Sequence, residues 1–173
     1  MSTAPIVVIP PGANAWADPW LHPELFAGIT AKRVLAYGLD VVLVGLLAVL
    51  LWVVGSLLSL LSFGLLLPVK VLALALLPFA YHIAFLCTSR AATPGMRMFG
   101  LRLVSLSADS AAWGGRPTPF QAMIQIVAFY GSLALTSALI LVVALFNARR
   151  RTLHDWLAGT VVVNDTAWRT GPA

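Results

Sequence analysis

Two ionisable residues, Arg33 and Asp40, stand seven positions apart near the start of a long apolar stretch. In an α-helix this spacing is two turns, so both side chains share one face, about 10.5 Å apart along the axis. If this helix crosses a membrane, Arg33 is expected to reach the headgroups and to leave Asp40 deeper, because helical side chains lean toward the N-terminus. A carboxylate at that depth must face protein or water, where it could bind and release a proton or a small cation.

A structural role is the alternative for Asp40. Its carboxylate could tie the helix to the loop that follows the second apolar stretch, by accepting hydrogen bonds from Arg97 or from the loop backbone. Both interpretations fit the sequence.

A second polar group, which contains Thr152, His154 and Asp155, follows the last apolar stretch. Thr152 and Asp155 have the spacing of a helix capping box, in which the carboxylate closes the helix start. His154 would suit acid-base or metal chemistry only with further ligands or a nucleophile, and His22 and His82 are not spaced to join it. The sequence therefore predicts no enzymatic activity, no metal site and no cofactor.

The elements that must position these residues are membrane helices. Of the 173 residues, 60% are hydrophobic and 10% are charged, and the mean hydropathy is +0.93, whereas soluble domains carry roughly a quarter charged residues. Three apolar stretches are each long enough for a helix to cross about 30 Å of hydrocarbon. The predicted segments are residues 31–61, 65–88 and 119–147. They belong to a predicted membrane domain over residues 30–164, between an interfacial or flexible arm over 1–29 and a tail over 165–173.

The net charge of +5 predicts the orientation of the chain. Basic residues precede the first segment and fill the link between the second and the third: Lys32, Arg33, Arg90, Arg97, Arg102 and Arg116. By the positive-inside rule both regions, and with them the N-terminus, should be cytoplasmic. Anionic lipid headgroups are the natural partner of this charge. No nucleic-acid-binding motif accompanies it, so no nucleic-acid partner is expected.

The third segment poses a topological problem, because Arg149, Arg150 and Arg151 follow it. If the segment crosses once, these arginines lie outside, against the positive-inside rule. If it folds at Gly131 and Ser132 into two arms, they return to the cytoplasm, although each arm is short for a full span.

Two similar stretches, residues 93–106 and 152–164, favour the folded arrangement. Each has a Thr suited to an N-cap, a Gly seven positions later suited to a left-handed helix stop, and then a strand-like run. If the two strands pair with each other, both stretches lie on one membrane face. The predicted fold is an all-α membrane protein, a bundle of three hydrophobic helical segments with short juxtamembrane helix-strand elements on the cytoplasmic face. Two arrangements of the third segment remain open: it crosses the membrane once, or it folds into two arms.

Four stretches together resemble the RDD family of small bacterial membrane proteins: AKRVLAYGLD, TPGMRMFGLRLVS, GGRPTPFQAMIQ and RRRTLHDWLAGTVVV. The resemblance covers residues 26–163. The arginine and two aspartates for which the family is named correspond to Arg33, Asp40 and Asp155. The chain departs from many members in having Met96 before Arg97, and in lacking a Pro-Gly break in its third segment.

The resemblance implies a transport-related protein of the bacterial inner membrane, with cation/proton exchange as the proposed activity of some members. In that hypothesis Asp155 approaches Arg33 and Asp40 in one ion-pair cluster, with Arg97 and His154 as secondary candidates. The alternative is a non-transporting scaffold or accessory subunit in which the same residues are structural. Because so few helices make a thin wall for a permeation path, a homo-oligomer or a partner membrane protein is expected.

Overall fold

The computed structural model describes residue 20 and residues 22–106, 115–136 and 152–170. Two long helices form an antiparallel hairpin: α1 spans Ile29–Leu61 and α2 spans Leu67–Leu86. The turn between them passes through Phe63 and Gly64, both of which have positive φ.

Both helices of the hairpin have the length and composition of membrane spans. In the most apolar window of α1, 0% of the residues are buried, and in that of α2 only 11% are buried, so neither helix is the core of a soluble domain. Large apolar side chains such as Val49 and Leu50 are about 60% exposed, as expected of a lipid-facing surface. In α2, Pro68 lies in the first turn, where its missing N–H costs nothing, and Pro78 lies inside the helix.

A small sheet and four short or medium helices cover one end of the hairpin. Helix α3 spans Pro94–Met98 and strand β1 spans Leu101–Ser105. Helix α4 spans Pro119–Thr136, α5 spans Leu153–Leu157, β2 spans Thr160–Asn164 and α6 spans Asp165–Thr170. We call α3, β1, α5, β2 and α6 together the cap.

The two strands of the cap pair with each other in antiparallel register, with Leu103 opposite Val162. This confirms the predicted pairing. Every residue of β2 is buried, because both faces of the sheet are covered. The side chains of Leu101, Leu103 and Val163 join Ile29 in one apolar core. Each such side chain contributes on the order of 1.5–3 kcal/mol when buried, so the core holds the cap on the hairpin.

The helix N-caps and the helix-ending glycines predicted for the two similar stretches are present. Thr93 is the N-cap of α3 and accepts a hydrogen bond from the backbone N–H of Met96. Gly100 and Gly159 have φ of 64° and 63°, the left-handed conformation that ends a short helix before each strand.

Of the two arrangements considered for the third segment, a fold at Gly131 and Ser132 is wrong. The backbone is helical from Pro119 to Thr136 and therefore passes through Gly131 and Ser132 without interruption. A helical Gly costs only about 1 kcal/mol relative to Ala, which is far less than the cost of unsatisfied backbone groups in lipid. The end of this segment, residues 137–147, and Arg149, Arg150 and Arg151 lie outside the described residues.

The start of the third segment and the chain that follows its undescribed part nevertheless lie at the same end of the hairpin. Gln125, in the second turn of α4, donates a hydrogen bond to Asp155 of α5. Asp155 in turn pairs with Arg33, near the start of α1. The chain that leaves the cap in α4 has therefore returned to it by residue 152.

Residues on both sides of the predicted membrane domain also contact the cap or belong to it. Residues 23–25 form a 3-10 helix, and Leu25 and Phe26 pack in the same core as the sheet. Asn164 donates hydrogen bonds to the carbonyl oxygens of Glu24 and Ala27, which ties this part of the predicted arm to β2. At the other terminus the predicted tail begins with helix α6. The rest of the arm, except Trp20 and His22, lies outside the described residues.

Candidate functional site

Asp155 lies at the start of α5, where it forms the predicted capping box with Thr152. Its Oδ2 accepts hydrogen bonds from the backbone N–H of Thr152 at 3.0 Å and from the Thr152 hydroxyl at 2.8 Å. These local bonds aim the carboxylate toward α1 and α4.

Two other helices complete the surroundings of Asp155. Arg33 of α1 places a guanidinium nitrogen 2.6 Å from Oδ2, and Gln125 of α4 donates to Oδ1 at 2.6 Å. The Asp155 side chain is 0% exposed and that of Arg33 is 18% exposed. Although burial raises the pKa of Asp155, the charge of Arg33 and the hydrogen bonds from Arg33 and Thr152 lower it by more, and the net pKa is well below its usual range. Asp155 is therefore an ionised partner of Arg33.

Asp40 occupies a separate buried site between α1, α2 and α3. Its Oδ1 accepts from the Tyr81 hydroxyl at 2.7 Å and from the Gly95 backbone N–H at 2.9 Å. Its Oδ2 accepts from the Thr93 hydroxyl at 2.5 Å. The residue is 4% exposed, and all three donors are uncharged.

The sequence of α3 explains how the chain comes so close to Asp40. Thr93 uses its hydroxyl oxygen to cap α3 and its hydroxyl hydrogen to bind Asp40. Gly95 brings the backbone against α1, where a Cβ would overlap the Ala36 carbonyl oxygen and lie 2.8 Å from the Asp40 carboxyl carbon. In the Thr-Pro-Gly sequence, therefore, Thr93 caps helix α3, Pro94 is its first residue, and Gly95 allows it to approach α1 closely.

One of the two partners proposed for Asp40 is correct. The loop backbone does bind it, through the N–H of Gly95. The prediction of a bond from Arg97 is wrong, because that guanidinium binds the Ala92 carbonyl oxygen and the Thr88 hydroxyl and lies 5.3 Å from the centre of the Phe85 ring. Arg97 therefore braces the link between α2 and α3.

A cavity of about 180 Å³ lies between these two sites, under the sheet. Its walls are mostly apolar and come from α1, α2, α3, α4 and the cap strands. The polar residues that line it include Arg33, Asp40, His82, Thr93, Gln125, Thr152 and His154. The structure thus brings Arg33 and Asp155 together and places Asp40 across a shared cavity, in place of the predicted three-residue cluster.

The sequence model of the RDD family matches residues 27–159 of the chain. The chain belongs to the RDD family. The matched range contains α1 to α5 and both carboxylates described above. No curated protein and no solved structure matches the chain.

Two site residues of this RDD-family member were not found by sequence reasoning. Gln125 bridges the buried ion pair to the sheet, since its Nε2 binds Asp155 and its Oε1 accepts from the Thr160 hydroxyl. The available indication was an amide in a mostly apolar helix, inside one of the stretches that carry the family resemblance. Tyr81 gave none, because a tyrosine in an apolar helix is common near a membrane interface.

His154 is buried beside the ion pair and is held neutral. Its Nε2 lies 2.7 Å from the Thr152 hydroxyl, and its ring packs edge-on against Phe129. Burial lowers the pKa of His154 to about 4, since the attraction of Asp155 is opposed by the charge of Arg33. Within the described part of the chain Nδ1 has no hydrogen-bond partner, and no group of three or more His, Cys, Asp or Glu residues could hold a metal.

The low pKa of His154 predicts an acid-sensitive cap. A histidine has a pKa of about 6.5 when the chain is unfolded, so between pH 6.5 and about 4 the unfolded state binds more protons. Stability should therefore fall as the pH falls through this window, by roughly 3 kcal/mol in all. The melting temperature of the protein in lipid nanodiscs, measured from pH 7.5 to 4.5, should show this fall. His154→Gln, which retains a donor for Thr152 but does not titrate, should flatten it. An equal fall in both proteins would contradict the assignment.

Proposed function

We propose that this RDD-family member is a multi-pass inner-membrane protein, not an enzyme, that takes part in ion-coupled transport, with Asp40 as the carboxylate that binds the proton or cation. The observation that carries the proposal is the contrast between the two carboxylates. Asp155 is neutralised by Arg33 at 2.6 Å, whereas Asp40 is held by neutral donors beside a cavity. The transport role thus falls to Asp40, and Arg33 and Asp155 serve to position the cap.

The hydrogen bonds of Asp40 suit a group that changes its protonation state. The hydroxyls of Tyr81 and Thr93 donate to the carboxylate, and a hydroxyl oxygen can equally accept from a protonated carboxyl group. The Gly95 N–H continues to donate to Oδ1 in either state. A protonated Asp40 would therefore keep the Gly95 hydrogen bond and could donate to one of the two hydroxyl oxygens.

The ion pair is unsuited to the same task. Protonation of Asp155 would remove the counter-charge of the partly buried Arg33, and the low pKa of Asp155 opposes protonation. His154 is likewise neutral over the physiological range. Both residues therefore support the site without carrying the proton.

The topology that we propose places the N-terminus and the cap in the cytoplasm, following the basic residues in the first turns of α1 and between α2 and α4. The cap then faces the anionic headgroups of the inner leaflet. The described helices are too few to enclose a transport path, so a second copy of the chain or a partner membrane protein supplies the remaining helices.

The test is proton movement in proteoliposomes that carry a pH-sensitive dye, after an imposed Na⁺ or K⁺ gradient. Asp40→Asn should abolish flux, because the amide retains the hydrogen bonds but cannot titrate. Asp165→Asn is the matched control, since Asp165 pairs with Arg169 on α6, away from the cavity, and should transport at the wild-type rate. Flux in Asp40→Asn equal to that in the control would refute the role of Asp40.

A scaffold function is the second candidate, and it too is favoured by an observation. Both carboxylates join different elements: Asp40 links α1 to α2 and α3, and Asp155 links α5 to α1 and α4. In a scaffold the wild-type protein would show no flux above that of empty liposomes. Asp40→Asn would then lower the amount of assembled protein in the membrane and change nothing else.

A further inference from the structure

The cavity is larger than a proton or a metal cation requires. It measures about 180 Å³, and an apolar protein cavity of about 150 Å³ accommodates benzene. A site for an inorganic cation is usually a small cage of oxygen ligands. Here the walls are mostly apolar, with contributions from Val34, Leu86 and Ile126. The dimensions and lining therefore fit an organic molecule of about ten non-hydrogen atoms.

The charges around the cavity select a cation. Arg33 faces the cavity, but Asp155 neutralises it at 2.6 Å. Asp40 also faces the cavity, and its hydrogen-bond partners are two hydroxyls and a backbone amide. Among the described residues, no cationic side chain is paired with the Asp40 carboxyl group. A carboxylate oxygen has two lone pairs, and Oδ2 of Asp40 uses one of them for Thr93, so a further contact can form there.

Aromatic rings stand beside this carboxylate. Tyr37 and Phe129 both line the cavity and pack edge to face, with ring centroids 5.5 Å apart. The ring of His82 also lines it. The faces of aromatic rings attract alkylated ammonium groups, and this attraction strengthens where water is excluded. A carboxylate with aromatic and aliphatic walls is the environment that such groups prefer.

The cavity reaches the exposed surface of α1 at Val34, a surface that faces lipid in the topology proposed above. Val34 lines the cavity and is 61% exposed. It lies five residues after Ile29, the first residue of α1, which is about 7.5 Å along the helix axis and places it just below the headgroups. A ligand can therefore enter from the inner leaflet, where amphiphilic cations accumulate beside anionic lipids.

We infer that this cavity binds a small lipophilic organic cation, an ammonium bearing alkyl or aryl groups, with its charge against Asp40 and its apolar part against Tyr37 and Phe129. The inference rests on the proposed function, because it assigns a substrate class to the same carboxylate. Binding and proton flux are nevertheless measured separately.

The experiment uses two probes of nearly identical shape, phenyltrimethylammonium and its uncharged carbon isostere tert-butylbenzene. Equilibrium dialysis of radiolabelled phenyltrimethylammonium against the protein in lipid nanodiscs, corrected for empty nanodiscs, measures binding. Unlabelled tert-butylbenzene is the competitor. We expect saturable binding of the cation and at least tenfold weaker competition by the isostere. Equal competition by the isostere would overturn the selection for a cation.

Variants locate the binding site. Asp40→Asn should weaken binding of phenyltrimethylammonium at least tenfold by removing the charge. Val34→Trp should block the opening and abolish binding, whereas Leu35→Trp should not, because Leu35 is 56% exposed but does not line the cavity. The two tryptophan variants keep the test decisive if Asp40→Asn is poorly folded. Equal binding by the two would overturn the assignment to this cavity.

The outcomes for the ligand and for transport can be told apart. Proton flux that depends on Asp40, without saturable binding of phenyltrimethylammonium, would overturn the ligand class and leave the proposed function standing. Binding that depends on Asp40 and is blocked by Val34→Trp, without any flux, would support the site and refute transport.

Discussion

Replacing Asp155 by Asn should destabilise the protein by about 3–5 kcal/mol, the usual cost of removing one partner from a buried ion pair. The substitution leaves the guanidinium of Arg33, 18% exposed, without its counter-charge. Arg33→Met should lower the free energy of unfolding by at least as much, because it leaves the Asp155 carboxylate, which is 0% exposed, without its counter-charge. Thermal unfolding in nanodiscs would measure both effects as lower melting temperatures.

The double variant Arg33→Met with Asp155→Asn tests the physical cause, because Asn removes the charge and can still accept from the backbone N–H of Thr152. It removes both charges, so it should be more stable than either single variant, which is the non-additivity expected of residues in direct contact. Asp165→Asn is the matched control, because its pair with Arg169 is 2.6 Å long but its side chain is 24% exposed. Such a pair contributes about 0–1 kcal/mol. If Asp155→Asn melts at the same temperature as Asp165→Asn, the ion pair does not hold the cap.

Replacing Gly95 by Ala should detach α3 from α1. The new methyl group would overlap the carbonyl oxygen of Ala36 and lie 2.8 Å from the carboxyl carbon of Asp40, and neither atom belongs to a flexible side-chain end. Overpacking of this kind costs about 1–3 kcal/mol, and the contact with backbone places the cost at the upper limit. Helix propensity acts in the opposite direction by about 1 kcal/mol, because Ala favours a helix over Gly.

Gly38→Ala supplies the control for this prediction. No atom lies within 4 Å of a Cβ built at Gly38, so the change should be neutral or stabilising. Melting temperature gives the effect on stability. Proton flux gives a second readout, since displacement of α3 removes the Thr93 and Gly95 hydrogen bonds from Asp40. A Gly95→Ala protein as stable as Gly38→Ala would show that α3 does not approach α1 so closely.

Features that depend on neighbouring residues in the chain were predicted well. The hairpin of α1 and α2, the cap at Thr93 and the capping box of Thr152 with Asp155 all follow from apolar length or from short-range hydrogen bonding. The pairing of β1 with β2 was also predicted, because a strand at a membrane surface must find a partner.

The errors concern features that the whole fold decides. In one of the two arrangements Gly131 was expected to break the third segment, yet it lies inside α4, because a helix tolerates a single glycine at a cost of about 1 kcal/mol. Arg97 was expected to reach Asp40, but a Tyr from α2 and the Thr and Gly of α3 take that place. Which donor reaches a carboxylate depends on distances between helices, and local spacing does not contain them.

The sequence by itself determined that the chain lies in a membrane, which of its residues cap the short helices, and that Arg33, Asp40 and Asp155 are the residues to consider. Apolar length and i to i+3 spacing are local properties, and they suffice for these conclusions. Only the tertiary structure decided that Arg33 belongs to Asp155, that Gln125 links this pair to the sheet, and that Asp40 stands apart at a cavity. The physical reason is that these contacts join residues far apart in the chain, and the packing of α1, α4 and the cap sets their distances.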